Sequence, residues 1–264
     1  MAPNILMAIA AILQQAAPAP AAPSAEQRLS ESASIGEWLY VFDRAAWVST
    51  DALTAAVPQA QLTGIGGYVV EVPAAQTLRV TYYRGDGDSA RAFFVADVRD
   101  GKVLSQQLLT TPVALTPAQA GLARARTVAA EQARTRGYRP CTAAPFNTVV
   151  LPGRSGGPTA VYLLSAQTEA ARYPIGGSYR VMVSGDGQVL ASRAYSVSCL
   201  MLSAPKLPKG ATPVGFMVSH VLDPVPTELH VFASYHLRAP LFVSTPDKRV
   251  WRVEGSKIAL AKLK

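Results

Sequence analysis

Two Asp-Gly pairs, Asp100-Gly101 and Asp186-Gly187, each lie between runs of alternating apolar and polar residues, and they restrict the possible folds strongly. A pair flanked in this way closes an antiparallel hairpin, because its tight turn needs positive φ at both central positions. Around the first pair, residues 68–72, 78–83, 92–98 and 103–109 read as consecutive strands. Around the second, residues 148–151, 160–165, 179–184 and 189–197 do the same.

Each set follows a helical pattern. Ile35, Trp38, Leu39, Phe42 and Ala46 recur at helical spacing in a stretch ending near Trp47. Ser49 or Thr50 is placed to cap a short second helix that Pro58 stops. Thr116-Pro117-Ala118-Gln119 opens another long helix with a capping box and a first-turn proline, and Gly137 ends it. From Phe146 onward only strands and turns are expected, including 214–222, 229–235, 241–244 and 250–253. The fold class is therefore α+β: two long helices with antiparallel β-meander sheets, arranged as two related helix-plus-meander units and a carboxy-terminal strand extension. The predicted division is 1–25 as leader and linker, 26–110 as an amino-terminal unit and 111–264 as a carboxy-terminal unit. The two units form either separate domains or one continuous domain.

The leader predicts the compartment. Residues 5–13 are apolar and uncharged, and nine residues are too few to cross a bilayer, which takes about 20. They read as the hydrophobic region of a secretory signal peptide. Small-residue cleavage patterns follow at Ala17-Pro18-Ala19, Ala19-Pro20-Ala21 and Pro23-Ser24-Ala25. The mature chain is expected to begin near Glu26 and to be periplasmic or secreted, with no transmembrane anchor after cleavage. In such a compartment the two cysteines, Cys141 and Cys199, are expected to pair as a disulfide. Neither has a ligand-type neighbour at zinc spacing.

The net charge of +8 is uneven. Residues 1–110 hold 7 basic and 10 acidic groups, 111–192 hold 8 and 3, and 193–264 hold 10 and 4. A basic carboxy-terminal two thirds is compatible with an anionic envelope component as partner, but patches rather than totals make binding sites, and a soluble basic envelope protein without such a partner accounts for the charge. Nucleic acid is not expected. Stepped around their helix, Arg124, Arg126, Arg134 and Arg136 point in scattered directions, and no aromatic residues alternate with them as base-stacking platforms.

Two constellations suggest chemistry. Gly153-Arg154-Ser155-Gly156-Gly157-Pro158 resembles the nucleophile segment of trypsin-like serine proteases, Gly-Asp-Ser-Gly-Gly-Pro, and it also fits the looser Gly-x-Ser-x-Gly of α/β-hydrolases. The protease version needs a histidine before the serine, whereas the first histidine is His220. The hydrolase version allows Ser155, Asp223 and then His230 or His236, but it requires a parallel sheet with crossover helices. A glycine-rich loop between strands accounts for the motif.

The second constellation is His220, His230 and His236 with Asp223 and Glu228, a metal or general-base set by residue type. Read as strands joined by residues 223–228, His220 faces the core, His230 points to the opposite side, and His236 lies about 20 Å beyond His230. His220 is then a core residue and the other two lie on the surface. Arg84-Gly85-Asp86 reads as a charged turn, and Trp38, Trp47 and Trp251 read as core. Neither a dinucleotide fingerprint nor a P-loop occurs, so no cofactor is expected. The resulting expectation is a non-catalytic binding or structural module. The alternatives are a secreted serine hydrolase using Ser155 and a metal-dependent activity near His220.

Overall fold

The computed structural model describes residues 23–170, 172–203, 210 and 214–262. The apolar segment 5–13 and its first two cleavage patterns lie outside the described residues. Helix α1 spans Ala25–Ala56 without interruption. Its N-cap is Ser24, whose hydroxyl accepts from the Gln27 amide while the Gln27 side chain accepts from the Ser24 amide. The expected break at Ser49 and Thr50 is absent. Both hydroxyls bond back to the Ala46 carbonyl and both reach the Tyr82 hydroxyl, so these residues are satisfied inside a helix rather than at its end.

Strands β1 (Ile65–Ala74), β2 (Thr77–Arg84), β3 (Arg91–Arg99) and β4 (Lys102–Ala114) follow as an antiparallel meander in chain order. The β3–β4 turn has φ of 50° at Asp100 and 67° at Gly101, as its two-residue loop requires. Helix α2 (Pro117–Arg136) begins with the Thr116–Gln119 capping box and ends at Gly137 in the left-handed region. A second antiparallel meander follows, built from β5 (Asn147–Leu151), β6 (Thr159–Leu164), β8 (Tyr179–Val183) and β9 (Val189–Ala194). Between β6 and β8, the short β7 (Arg172–Pro174) pairs instead with β10 (Met201–Ser203). The second Asp-Gly pair makes a different turn from the first. Only Gly187 has positive φ there, and the β8–β9 register slips between Met182 and Val183.

The last region departs most from expectation. Strand β11 (Phe216–Ser219) leads into α3 (Glu228–Leu237), where residues 229–235 had read as a strand. Strands β12 (Leu241–Ser244), β13 (Val250–Glu254) and β14 (Lys257–Leu260) complete a four-stranded sheet in the order β11-β12-β13-β14. Because α3 carries the chain back over the sheet, β11 and β12 pair in parallel, which a tight turn does not permit.

Three apolar clusters hold these layers together. In the first, Leu39, Phe42 and Leu53 of α1 meet Val80 and Phe94 of the first sheet and Val149 and Tyr162 of the second. In the second, the alanine face of α2 (Ala125, Ala129, Ala133) lies with Val69 and Tyr83 from the first sheet and Val161 and Val181 from the second. Neighbouring residues of β1, β2, β5 and β6 therefore enter opposite clusters, so both sheets are buried on two faces over part of their length. The third cluster packs Val231 and Ala233 of α3 on Val218, Leu241, Val243, Trp251 and Val253.

Candidate functional site

Helix α3 starts at Thr227, after the Asp223-Pro224-Val225-Pro226 segment, and its first turn presents Glu228 and His230 on the buried side. A helix rather than a strand at this point brings His230 to His220. Their ring centroids are 4.6 Å apart at 77°, and both residues are buried, with relative exposures of 5% for His220 and 6% for His230. The expectation of a core His220 holds, whereas the placement of His230 on the opposite side is corrected. His236, about one and two-thirds turns further on and so about 9 Å along the helix rather than the expected ~20 Å, lies elsewhere. Its expected surface placement is corrected, since its side chain is only 18% exposed. It is packed among Tyr40, Tyr173 and Phe232, with Nε2 3.2 Å from Asp43 Oδ2 but not aligned as a hydrogen bond.

Each imidazole has one nitrogen committed. His220 Nε2 is 2.9 Å from Asp223 Oδ2. Asp223 also accepts from both guanidinium nitrogens of Arg193, at 3.0 Å and 2.5 Å. Burial raises the Asp223 pKa, but the hydrogen bonds from His220 and Arg193 outweigh it and hold the carboxyl well below the usual carboxylate range. On the other ring, His230 Nδ1 accepts from the Thr227 amide at 2.9 Å, which closes the helix cap. Burial, with the nearby His220, pushes the His230 pKa down to about 3, so this ring is neutral at physiological pH.

The polar chain continues inward. Glu228 accepts from Tyr162 at 2.9 Å, from Arg180 at 3.0 Å and from Tyr195 through a short hydrogen bond. Burial and the Glu228 charge push both tyrosine hydroxyls up, so they remain donors. The Arg193 guanidinium lies 4.4 Å from the Tyr195 ring centroid and so joins the Glu228 group to Asp223. Arg180 and Arg193, both counted in the basic field, are thus engaged in internal pairs. Arg126 of α2 likewise faces the Tyr68 ring and donates to the Thr148 carbonyl.

Both imidazoles line a cavity of about 100 Å³ enclosed by the end of β6, the chain after β9, β11 and α3. The segment after β9 is fastened by the Cys141–Cys199 disulfide, as expected from the cysteine count. Gly176 and Gly177 fit against it closely, and a Cβ at Gly177 would lie 2.7 Å from Cys141 Sγ.

Ser155 is not part of this arrangement. It lies in the 3-10 turn Arg154–Gly156 between the antiparallel strands β5 and β6, with neither a crossover helix nor a parallel sheet around it. Leu164 lines the histidine cavity, whereas the serine turn precedes Thr159, which is about 17 Å away along the extended strand. Trp38 and Trp47 are 41% and 53% exposed, which corrects their expected core placement, while Trp251 is buried and donates to Thr245. Among the described residues, no three histidine, cysteine, aspartate or glutamate side chains are grouped to hold a metal ion. Arg193, Tyr195 and Thr227 were not anticipated at the site. No local pattern marks the first two, whereas Thr227 before an acidic residue is an N-cap signal. No family model matches the chain, and no curated protein and no solved structure matches it.

Proposed function

We propose that the chain is exported to an oxidising compartment and acts there as a non-catalytic binding module whose ligand seat is the His220–His230 cavity. One observation carries the reading. Two buried imidazoles, each with one nitrogen committed to a protein partner, face a shared cavity. Buried polar side chains are normally satisfied, so open hydrogen-bonding capacity beside a cavity marks a ligand site. The Cys141–Cys199 disulfide supports the compartment, and among the described residues no helix is long and apolar enough to cross a membrane.

The Asp223–His220 hydrogen bond favours a second reading, general-base chemistry, because a carboxylate orients an imidazole in the same way in hydrolytic sites. In the serine-hydrolase form, that chemistry requires a serine nucleophile beside the imidazole. Among the described residues, no serine hydroxyl is within hydrogen-bond distance of His220.

A ligand-observed NMR screen of small fragments against the oxidised protein tests the binding reading, with Ser198→Trp as a control that fills the cavity mouth from an exposed position. Fragments that bind the parent and not the variant are expected. If every hit binds both proteins equally, or nothing binds, the cavity is not a ligand seat.

A further inference from the structure

The partners of the two imidazoles determine what the cavity presents. Asp223 is an ionised acceptor with no proton to give, so the hydrogen between it and His220 belongs to His220 Nε2. In the neutral ring this leaves Nδ1 as a bare lone pair. The Thr227 amide can only donate, so His230 Nδ1 is the acceptor and Nε2 of that neutral ring carries the hydrogen.

Neither His220 Nδ1 nor His230 Nε2 has a hydrogen-bond partner among the described residues. Among the described residues, the buried side-chain nitrogens that lack both a partner and accessible surface are Arg84 Nε and His236 Nε2. The two imidazole nitrogens are not among them, and both rings line the cavity. The site therefore offers one acceptor and one donor, held close together by rings 4.6 Å apart. Tyr173, Ile175, Leu200 and Phe232 add apolar wall, and the volume is that of about three waters.

We propose that the cavity binds a small uncharged group that both donates and accepts a hydrogen bond, a carboxamide or a hydroxyl. A carboxylate has no hydrogen for His220 Nδ1, and an ammonium or amidinium has no lone pair for His230 Nε2. Either ion leaves one of the two imidazole nitrogens unpaired and brings a charge into a small, partly closed cavity where no counter-ion faces it through these two groups. The inference rests on the reading of the cavity as a ligand seat. It goes further by naming the chemistry of what enters.

Acetamide, acetate and acetamidinium have nearly the same size and shape and differ in hydrogen-bond character, so they separate the possibilities. The oxidised, ¹⁵N-labelled protein is titrated with each at pH 7.5, and with ethanol for the hydroxyl case, while the imidazole nitrogens are followed by NMR. The free protein is expected to show the Nε2–H tautomer at both rings. Acetamide or ethanol should then shift His220 Nδ1 and His230 Nε2 saturably, with either ion weaker by about tenfold or more. Asp223→Asn lets His220 place its proton on Nδ1, and in that variant the preference should move toward acetate. An ion that binds the parent as tightly as acetamide, or unchanged selectivity in Asp223→Asn, overturns the assignment. Failure of both neutral probes to saturate does the same. Charged fragments as the only cavity ligands would defeat this inference and leave the binding reading standing, whereas an empty fragment screen defeats both.

Discussion

A neutral histidine buried at the start of a helix makes the protein sensitive to acid. His230 accepts a hydrogen bond from the Thr227 amide and cannot take up a proton without losing it. Its pKa falls from 6.5 to about 3 on folding, so between those values the unfolded chain binds a proton that the folded chain does not. Stability from this residue is complete above pH 6.5 and declines as pH drops toward 3. At pH 5 the loss is about 2 kcal/mol. Asp223 has the opposite chemistry and a lower window. Its depressed pKa stabilises the fold above the ordinary carboxylate range, and that contribution disappears only in stronger acid. Glutamine at the third helical position also reaches back to the cap amide. His230→Gln should therefore keep α3 and remove the pH 7.5-to-5 loss, read as urea unfolding free energies at the two pH values. If parent and variant lose the same amount, the titration resides elsewhere. The sequence placed Asp223 and Glu228 near the histidines but gave no sign of Arg193 or Tyr195. Those residues approach across 30 and 33 positions of chain, through packing that no local pattern encodes.

Helices α1 and α3 approach each other at Gly36. A Cβ there would lie 2.4 Å from Val231 Cβ and 2.6 Å from the Glu228 carbonyl, so the absent side chain is what lets the helices meet. Alanine is the better helix former by about 1 kcal/mol, yet overpacking of this kind costs about 1–3 kcal/mol, and here one contact is an immovable backbone oxygen. Gly36→Ala should be destabilising by about 2 kcal/mol in chemical denaturation. Val231→Ala in the same chain should recover only part of the loss, because it removes the Cγ1 contact while the Cβ contact and the carbonyl clash remain. A neutral or stabilising Gly36→Ala would mean that the helices sit further apart. The same packing explains why α3 was read as a strand. Glu228–Leu237 is buried between α1 and the third sheet, so apolar residues occur around most of its circumference and alternation mimics a strand. Val231, Phe232 and Tyr235 also favour extended structure. The first two meanders and α2 were legible because their turn and cap residues restrict the backbone, although the Asp186-Gly187 turn meets the positive-φ demand at Gly187 alone. Helix α1 was legible in its apolar face but not in its length. Ser49 and Thr50 look like caps until Tyr82, 33 and 32 residues away, accepts their hydroxyls into the core.

The helix-plus-meander order occurs twice, and we propose that the two halves are related units built around common interior clusters. The β5 and β6 side chains enter both clusters, so neither half completes its core alone. The disulfide then acts on the whole assembly. It links the chain after α2 to the chain after β9 across 58 residues, a loop whose closure in the unfolded state corresponds to about 4 kcal/mol. It also borders the cavity, since residues 195–198 and 200 form one wall and Cys199 lies between them. Reduction therefore has two separable consequences. The global unfolding free energy should fall by about 4 kcal/mol. Amide exchange should accelerate first in residues 195–200, where the tether is lost, with acetamide affinity falling in step. Cys141→Ala/Cys199→Ala should reproduce both effects without reductant. Equal stability in oxidised and reduced protein would show that packing against Gly176 and Gly177 holds this wall without the bond. Loss of stability with unchanged acetamide binding would separate the disulfide from the site, because the cavity would then keep its shape with that wall untethered.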